Sequence, residues 1–171
     1  MADAIRILGI DPGSRITGFG LIEIAGSVTR PIEWGVVRTE GDHFERLRTI
    51  FERLGVVVAR TQPAELAIER VFLHRNADSA LKLGQARAAA LCATFTTQLP
   101  TYEYAARQVK KAVTGNGAAD KEQVQQMVRL VLGVSGKLEA DAADALAIAV
   151  CHAQCRAAAG LVSRAVSGAG G

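Results

Sequence analysis

The chain has 171 residues, of which 49% are hydrophobic and 22% are charged. These values are close to those of ordinary globular domains, so they exclude a disordered or collagen-like chain and predict a full hydrophobic core. Three cysteines without a Cys-x-x-Cys pair argue against a disulfide framework and favour a reducing, cytoplasmic location. The apolar stretch at 5–10 contains Arg6, and no run of about 18 uncharged apolar residues follows, so we expect neither a secretion signal nor a membrane span.

The net charge is +3, and its distribution along the chain is uneven. Residues 70–121 hold eight Lys and Arg side chains against three Asp and Glu, whereas the rest of the chain holds twelve against fourteen. A basic segment suits a polyanionic partner such as nucleic acid, but it is also typical of an ordinary solvated surface. Charge alone leaves both interpretations open.

The N-terminal part of the sequence predicts three antiparallel strands. Two β-rich runs at 5–11 and 16–24 are separated by a Pro-Gly-Ser turn, and a third run covers 31–39. Hydrophobic residues then recur at helical spacing over 42–60. The short apolar run at 66–69 predicts a buried strand parallel to the first, because a helix precedes it as in a crossover unit.

The C-terminal part predicts mostly helices. A long alanine-rich helix at 76–98 is followed by a fifth strand at 101–104. Three further helices are predicted at 105–113, 121–132 and 141–158. We expect a single domain at 1–158 and a flexible tail at 159–171, where few large apolar side chains could offset the entropy of ordering. The fold class is therefore α/β, with a five-stranded mixed sheet flanked by helices.

Four acidic residues interrupt apolar stretches. Asp11 and Glu69 close the first and fourth strands, and Asp141 and Asp144 open the last helix. Buried ionised carboxylates are costly without a partner. Asp141 and Asp144 are three residues apart and share a helical face, and the two strand ends meet at one sheet edge if the strands are neighbours. Four hard oxygen ligands suit two Mg²⁺ ions and phosphodiester hydrolysis.

Structural roles remain open for two of these acids. Asp141 could be a charge at a helix N-terminus, and Asp11 could cap the turn that follows it. Neither role accounts for all four acids together.

Five segments, in order along the chain, resemble the RuvC family of bacterial Holliday-junction resolvases. They read IDPGSRITGFG at 10–20, IERVF at 68–72, NADSALKLGQAR at 76–87, YAARQVK at 104–110 and DAADALA at 141–147. The resemblance covers residues 5–158, and five ordered motifs are far more specific than any one of them.

The resemblance implies a ribonuclease-H-like fold and a homodimer that makes paired, symmetric nicks in four-way DNA junctions during recombination and repair. It implies two Mg²⁺ ions per active site, for which Mn²⁺ can substitute, and a bacterial branch-migration motor as a partner. By resemblance, the catalytic metal ligands are Asp11, Glu69, Asp141 and Asp144.

Several basic residues and one aromatic residue are candidates for DNA contact. Lys110 and Lys121 match family positions near the scissile phosphate, where a cation can stabilise developing charge, although Lys121 could simply open a capped helix. Composition favours a core role for Phe72, whereas the resemblance favours stacking on an unpaired base. The predicted DNA-binding residues are Phe72, Arg75, Lys82, Arg87, Arg107 and Lys110.

Two positions depart from the family pattern. Arg70 follows the catalytic glutamate where many members have a neutral residue, and Ala88 stands where glycine is usual. Neither change affects the acids, but they leave open how DNA is gripped beside the site and how tightly the long helix packs.

Cys151, His152 and Cys155 are close together on one predicted helix. A structural zinc site needs four ligands, and only these three are near in sequence. We therefore interpret the two cysteines as core residues.

Two other functions fit part of the pattern. The Asp-x-Gly turn between strands also resembles the phosphate loop of actin- and hexokinase-like ATPases, but those proteins use two such domains. A non-catalytic DNA-binding module would explain the basic segment and leave the acids unexplained.

A homodimer also fits the substrate, since a four-way junction with near two-fold symmetry needs two symmetric cuts. We expect the interface on the helix at 76–98, where Gly84, Ala86 and Ala90 permit close approach.

Overall fold

The computed structural model describes residues 4–71 and 76–168. Its strands are β1 (Ile5–Asp11), β2 (Ile16–Ala25), β3 (Val28–Arg38), β4 (Glu65–Glu69) and β5 (Thr101–Tyr104). Its α-helices are α1 (His43–Thr61), α2 (Ala77–Cys92), α3 (Ala106–Thr114), α4 (Lys121–Leu132) and α5 (Ala140–Gly168). None of these helices is long and apolar enough to cross a membrane.

The five strands form one mixed sheet in the order β3-β2-β1-β4-β5. The pairs β1–β2 and β2–β3 are antiparallel, whereas β1–β4 and β4–β5 are parallel. The predicted three-stranded meander followed by parallel strands is confirmed. In the parallel pair, Ile10 lies opposite Ile68, so the next residues, Asp11 and Glu69, end their strands at the same edge of the sheet.

The two faces of the sheet have separate cores. Helices α1 and α2 cover one face, packing on residues such as Leu8 and Ile68. Helices α3, α4 and α5 cover the other, packing on Ile7 and Ala67. Because side chains alternate along a strand, Asp11 and Glu69 share the face of Ile7 and Ala67. Both acids therefore project toward the side of the sheet that α5 covers.

Glycines in β1 and β2 let α5 approach the sheet closely. A Cβ atom on Gly18 would overlap the carbonyl oxygen of Asp141, and one on Gly9 would overlap the carbonyl oxygen of Ala145. Gly20 faces the same helix at similarly close range. Because glycine has no side chain, the first turns of α5 can lie against the strands at these three positions.

Two helix ends differ from the prediction. Helix α2 ends at Cys92 and not at 98, because the β-branched stretch after it forms a 3₁₀ turn, Phe95–Thr97, closed by Gln98 in a left-handed conformation. Helix α5 continues past the predicted end at 158 to Gly168. Alanine-rich sequence favours this extension, although residues 156–161 are exposed. Flexibility of the 159–171 segment stays a prediction.

Candidate active site

Three of the four predicted acids line one cleft at the edge of the sheet. The cleft has a volume of about 290 Å³ and contains Asp11 from β1, Glu69 from β4 and Asp144 from α5. Lys110 of α3 and Lys121 of α4 line it as well. Its apolar wall is formed by Ala106, Val109, Val124, Ala147 and Ile148. The cleft thus combines carboxylates and lysines that are distant in sequence.

Asp141 lies near this cleft without forming its lining. It is half-buried in the first turn of α5, and its charge still contributes to raising the pKa of Asp11. The structure therefore places three predicted acids in the cleft and the fourth within electrostatic range.

The carboxyl group of Asp11 experiences a strong excess of negative charge. Burial and then repulsion from Glu69, Asp144 and Asp141 raise its pKa to about 8, and Lys121 only partly opposes this effect. A carboxyl group in this setting favours its protonated form unless further positive charge enters the cleft.

Lys121 provides part of that positive charge. Its Nζ atom lies 3.2 Å from Oδ2 of Asp144, and the nearby carboxylate raises the pKa of the lysine. The lysine opens α4, where Asp120 and Gln123 form a capping box, as the sequence predicted. The cap fixes the direction of the first turn and so brings Lys121 to the cleft.

The donor set of the cleft suits a hard divalent cation. Its acidic side chains offer only carboxylate oxygens, which Mg²⁺ and Mn²⁺ prefer as ligands. Among the described residues, no group of three or more His, Cys, Asp or Glu side chains is already gathered closely enough to hold an ion. A cation in the cleft would offset the mutual repulsion that helps to raise the pKa of Asp11.

The turn after Asp11 is held by two threonines that the sequence interpretation missed. The buried hydroxyl of Thr17 donates to the carbonyl oxygen of Gly13 at 2.8 Å, and the hydroxyl of Thr39 donates to that of Ser14 at 2.9 Å. These bonds brace the exit from β1 and with it the main chain next to Asp11. Threonine in a β-strand is too common a signal to have revealed this role.

The end of β4 is held from α2. Nε of Arg87 donates to the carbonyl oxygen of Glu69 at 3.3 Å, and the same guanidinium is paired with Glu103. Arg70 is more exposed, with Nε 3.8 Å from the Glu103 carboxylate. The sequence interpretation missed the Arg87 contact because its partner is a main-chain atom.

The other predicted DNA contacts are distributed over several elements. Phe72 and Arg75 lie outside the described residues. Lys82 is exposed on α2 and paired with Asp78 at 2.7 Å, and Arg107 is exposed on α3. Their contacts with DNA stay predictions.

Of the two cysteines predicted to be core residues, Cys151 lies in the core and Cys155 is half-buried against it. Cys151 is buried, and burial raises the pKa of its thiol to about 12, so it remains protonated. His152 is buried between the Tyr104 hydroxyl, 2.6 Å from Nδ1, and the Glu65 carboxylate, 2.7 Å from Nε2. Both ring nitrogens are therefore engaged without a metal, which supports the interpretation as core residues.

Sequence comparison with known families gives a nearly full-length match. The family model described as crossover junction endodeoxyribonuclease RuvC matches residues 7–152. The protein of that name from Methylococcus capsulatus is 54% identical over 162 residues, covering 94% of this chain and 98% of the relative. The one from Marinobacter nauticus is 57% identical over 148 residues, covering 86% and 85%.

Solved structures show the same fold. Thermus thermophilus RuvC in complex with a Holliday junction substrate matches with a TM-score of 0.81 and 38% identity, covering 87% of this chain and 93% of that one. The yeast mitochondrial Holliday junction resolvase Ydc2 matches with a TM-score of 0.60 at 12% identity, covering 86% and 78%, a likeness of fold alone. These matches confirm the ribonuclease-H-like architecture and do not favour the ATPase or non-catalytic alternatives.

Proposed function

The chain belongs to the family of crossover junction endodeoxyribonuclease RuvC, and on this premise we propose how its own residues cut DNA. It is an endonuclease that resolves Holliday junctions in DNA recombination and repair. The observation that supports our assignment of the active site is the cleft in which Asp11, Glu69 and Asp144 meet two lysines.

We assign the metal-holding role to the four acids. Asp11, Glu69 and Asp144 would hold the divalent cations in the cleft, and Asp141 would supply a further carboxylate from the same helical face as Asp144. Bound Mg²⁺ ions, two per site, would lower the pKa of the attacking water and stabilise the leaving oxygen, and Mn²⁺ could replace them. The raised pKa of Asp11 supports this assignment, because it reflects burial and repulsion among these carboxylates that a bound cation would offset.

The two lysines serve the scissile phosphate. Lys110 and Lys121 line the cleft beside the acids, so a phosphate placed there has ammonium groups within reach. A cation at this position stabilises the charge that develops on the phosphate oxygens. We therefore propose that both lysines act mainly on the rate of cleavage.

The remaining basic and aromatic candidates bind the DNA arms. In this proposal Arg75, Lys82 and Arg107 contact phosphates, and Phe72 stacks on an unpaired base at the crossover. Such phosphate contacts strengthen binding with little regard to sequence and make it depend on salt.

The working unit is a homodimer whose interface includes the exposed face of α2. Leu81, Gly84, Ala88 and Cys92 recur at helical spacing and are all exposed, with 68% of Leu81 accessible. Two active sites related by a two-fold axis would cut two strands of like polarity. Cytoplasmic location and a branch-migration motor as partner complete the proposal.

A direct test compares a labelled four-way junction with a linear duplex of the same sequence, with and without Mg²⁺. We expect nicks at the junction in two strands of like polarity, only in the presence of Mg²⁺ and without comparable cutting of the duplex. Equal cleavage of both substrates, or unchanged cleavage in a chelator, would contradict the proposal.

A further inference from the structure

The arginine of α2 that contacts Glu69 is unusually enclosed. The side chain of Arg87 is 19% exposed, whereas Arg70, which like Arg87 is paired with Glu103, is 54% exposed. Its guanidinium makes two different contacts, one from Nε to the carbonyl oxygen of Glu69 and one from Nη2 to the carboxylate of Glu103. The charge of Arg87 is thus compensated within the chain.

These contacts lie where the sheet ends. Glu69 is the last residue of β4, and it pairs with Tyr104 of β5 in the parallel ladder. The amide of Arg70 still donates to the carbonyl oxygen of Tyr104 at 2.8 Å, and then the chain leaves the sheet. The bond from Arg87 therefore fixes the main chain of Glu69 at the point where the ladder stops restraining it.

Helix α2 holds Arg87 firmly in this position. Its neighbours Ala86 and Ala90 are completely buried in the core between the sheet and helices α1 and α2. Arg87 cannot turn toward a DNA phosphate without breaking both of its contacts, and it cannot move with the helix without disturbing that core.

We propose that Arg87 is a positioning residue for the nuclease reaction, fixing the main chain of Glu69 with Glu103 as its counter-ion. The carboxylate of Glu69 is thereby presented to the cleft at a defined angle. This inference rests on the metal-holding role proposed for Glu69. It replaces the DNA contact predicted for Arg87 from the sequence.

The test compares Arg87→Gln with Arg70→Gln, which removes the same charge near Glu103 but leaves the Glu69 carbonyl bond in place. Junction affinity and its salt dependence are measured without divalent cation, the single-turnover cleavage rate is measured in saturating Mg²⁺, and Mn²⁺ binding is followed by electron paramagnetic resonance. We expect Arg87→Gln to bind the junction within about twofold of the wild type, to cleave about 10–100-fold more slowly and to bind Mn²⁺ more weakly. Arg70→Gln should cleave within about twofold of the wild type.

A second variant, Glu103→Gln, keeps the inference testable if Arg87→Gln fails to fold. It removes the carboxylate charge that pairs with both Arg87 and the exposed Arg70, so we expect slower cleavage at unchanged junction affinity. A DNA contact by Arg87 predicts the opposite, with tighter binding and cleavage that is not slowed. Tighter binding with an unslowed rate in Glu103→Gln would overturn the inference. So would a flatter salt dependence of binding with a normal cleavage rate in Arg87→Gln, or a cleavage rate in Arg70→Gln that falls as much as in Arg87→Gln.

Asp144→Asn separates this inference from the proposed function. If Asp144→Asn binds the junction without cutting it and Arg87→Gln behaves like the wild type, only the role of Arg87 is wrong. If Asp144→Asn cleaves normally, the proposed active site itself is wrong.

Discussion

The two helical layers of the protein pack against the sheet in different ways. On one side, α5 lies so close to β1 and β2 that glycines at 9, 18 and 20 are needed, and Asp141 and Asp144 are on its first turns. On the other side, α2 buries only a narrow stripe and leaves Leu81 and the small residues beside it exposed. Close backbone packing therefore fixes the helix that carries two of the proposed metal-holding acids, whereas the surface suited to a partner lies on the opposite layer.

The largest effect is expected from removing a carboxylate on the α5 side. Asp11→Asn, Glu69→Gln and Asp144→Asn should each lower the cleavage rate by at least about 100-fold, because several kcal/mol of transition-state stabilisation depend on the held cations. Junction binding, measured by mobility shift without Mg²⁺, should persist because the basic surface is untouched. Asp141→Asn serves as an internal comparison. Its cleavage rate should fall less, since Asp141 does not line the cleft. Normal cleavage by Asp11→Asn would disprove the proposed site.

A charged side chain introduced on the exposed face of α2 should weaken dimer association without destabilising the fold. Ala88→Glu places two like charges near the proposed two-fold axis, at a cost of several kcal/mol, so we expect self-association at least about 100-fold weaker by analytical ultracentrifugation. Gln126→Glu, on the exposed part of α4, serves as control and should leave the dimer intact. Ala86 and Ala90, two alanines of the predicted interface, are buried in the core of their own subunit, so charging them would unfold the protein instead. An unaffected Ala88→Glu dimer would move the interface elsewhere.

A methyl group between β2 and α5 tests the close packing directly. Gly18→Ala must displace the first turn of α5 because its Cβ would overlap the Asp141 carbonyl oxygen. Overpacking of this kind costs about 1–3 kcal/mol of unfolding free energy, and a misplaced carboxylate should lower cleavage by about 10–100-fold. Urea denaturation and single-turnover kinetics measure the two effects.

Gly55→Ala is the matched control for that substitution. Gly55 lies within α1 with open space around its Cβ position, so alanine should stabilise the helix by up to about 1 kcal/mol and leave cleavage unchanged. Equal behaviour of the two variants would show that α5 is not held as closely as described.

Removing a lysine from the cleft should have a smaller effect than removing an acid. Lys121→Ala eliminates the partner of Asp144 and one cation near the scissile phosphate, so we expect cleavage about tenfold slower with junction affinity nearly unchanged. Lys110→Ala should act in the same direction. Lys111→Ala, an exposed neighbour in sequence, is the control and should behave like the wild type. A loss of affinity that exceeds the loss of rate would make these lysines ordinary DNA contacts.

The last prediction concerns the pH dependence of the free energy of unfolding without metal. The pKa of Asp11 is raised from 3.8 to about 8, so its contribution to stability is complete below about pH 4 and is lost as the pH rises to about 8. Asp11→Asn should remove this loss. The difference in unfolding free energy between the wild type and the variant should therefore change between pH 5 and pH 8. Urea denaturation in a chelator measures it. A constant difference over that range would mean that Asp11 ionises normally.

Most of the fold could be predicted because hydrophobic periodicity and turn residues specify it. The strand ends at Asp11 and Glu69 were predicted correctly, and their proximity followed once the two strands were expected to be parallel neighbours. The end of α2 was missed, since a threonine-rich segment can continue a helix or form a 3₁₀ turn. The reach of α5 was missed because exposed alanines give no packing signal.

The acids of the candidate site could be found from sequence, but what holds them could not. Each acid interrupts an apolar stretch, which is visible without a structure. The main chain beside these acids is held by hydrogen bonds to carbonyl oxygens: Thr17 donates to Gly13, and Arg87 donates to Glu69. Such contacts have no sequence pattern. The role of Gly18 could not be predicted either, because its contact with α5 depends on a helix more than a hundred residues away in sequence.

The separation of Asp11 and Glu69 from Asp144 along the chain also bears on synthesis. A growing polypeptide contains the sheet long before it contains α5, the last helix in chain order. Domains generally fold as units, so the cleft is incomplete until that helix has left the ribosome and packed on the glycines of β1 and β2. A truncated translation product that stops before α5 would hold only Asp11 and Glu69 of the four proposed metal-holding acids, so we expect it not to cut DNA.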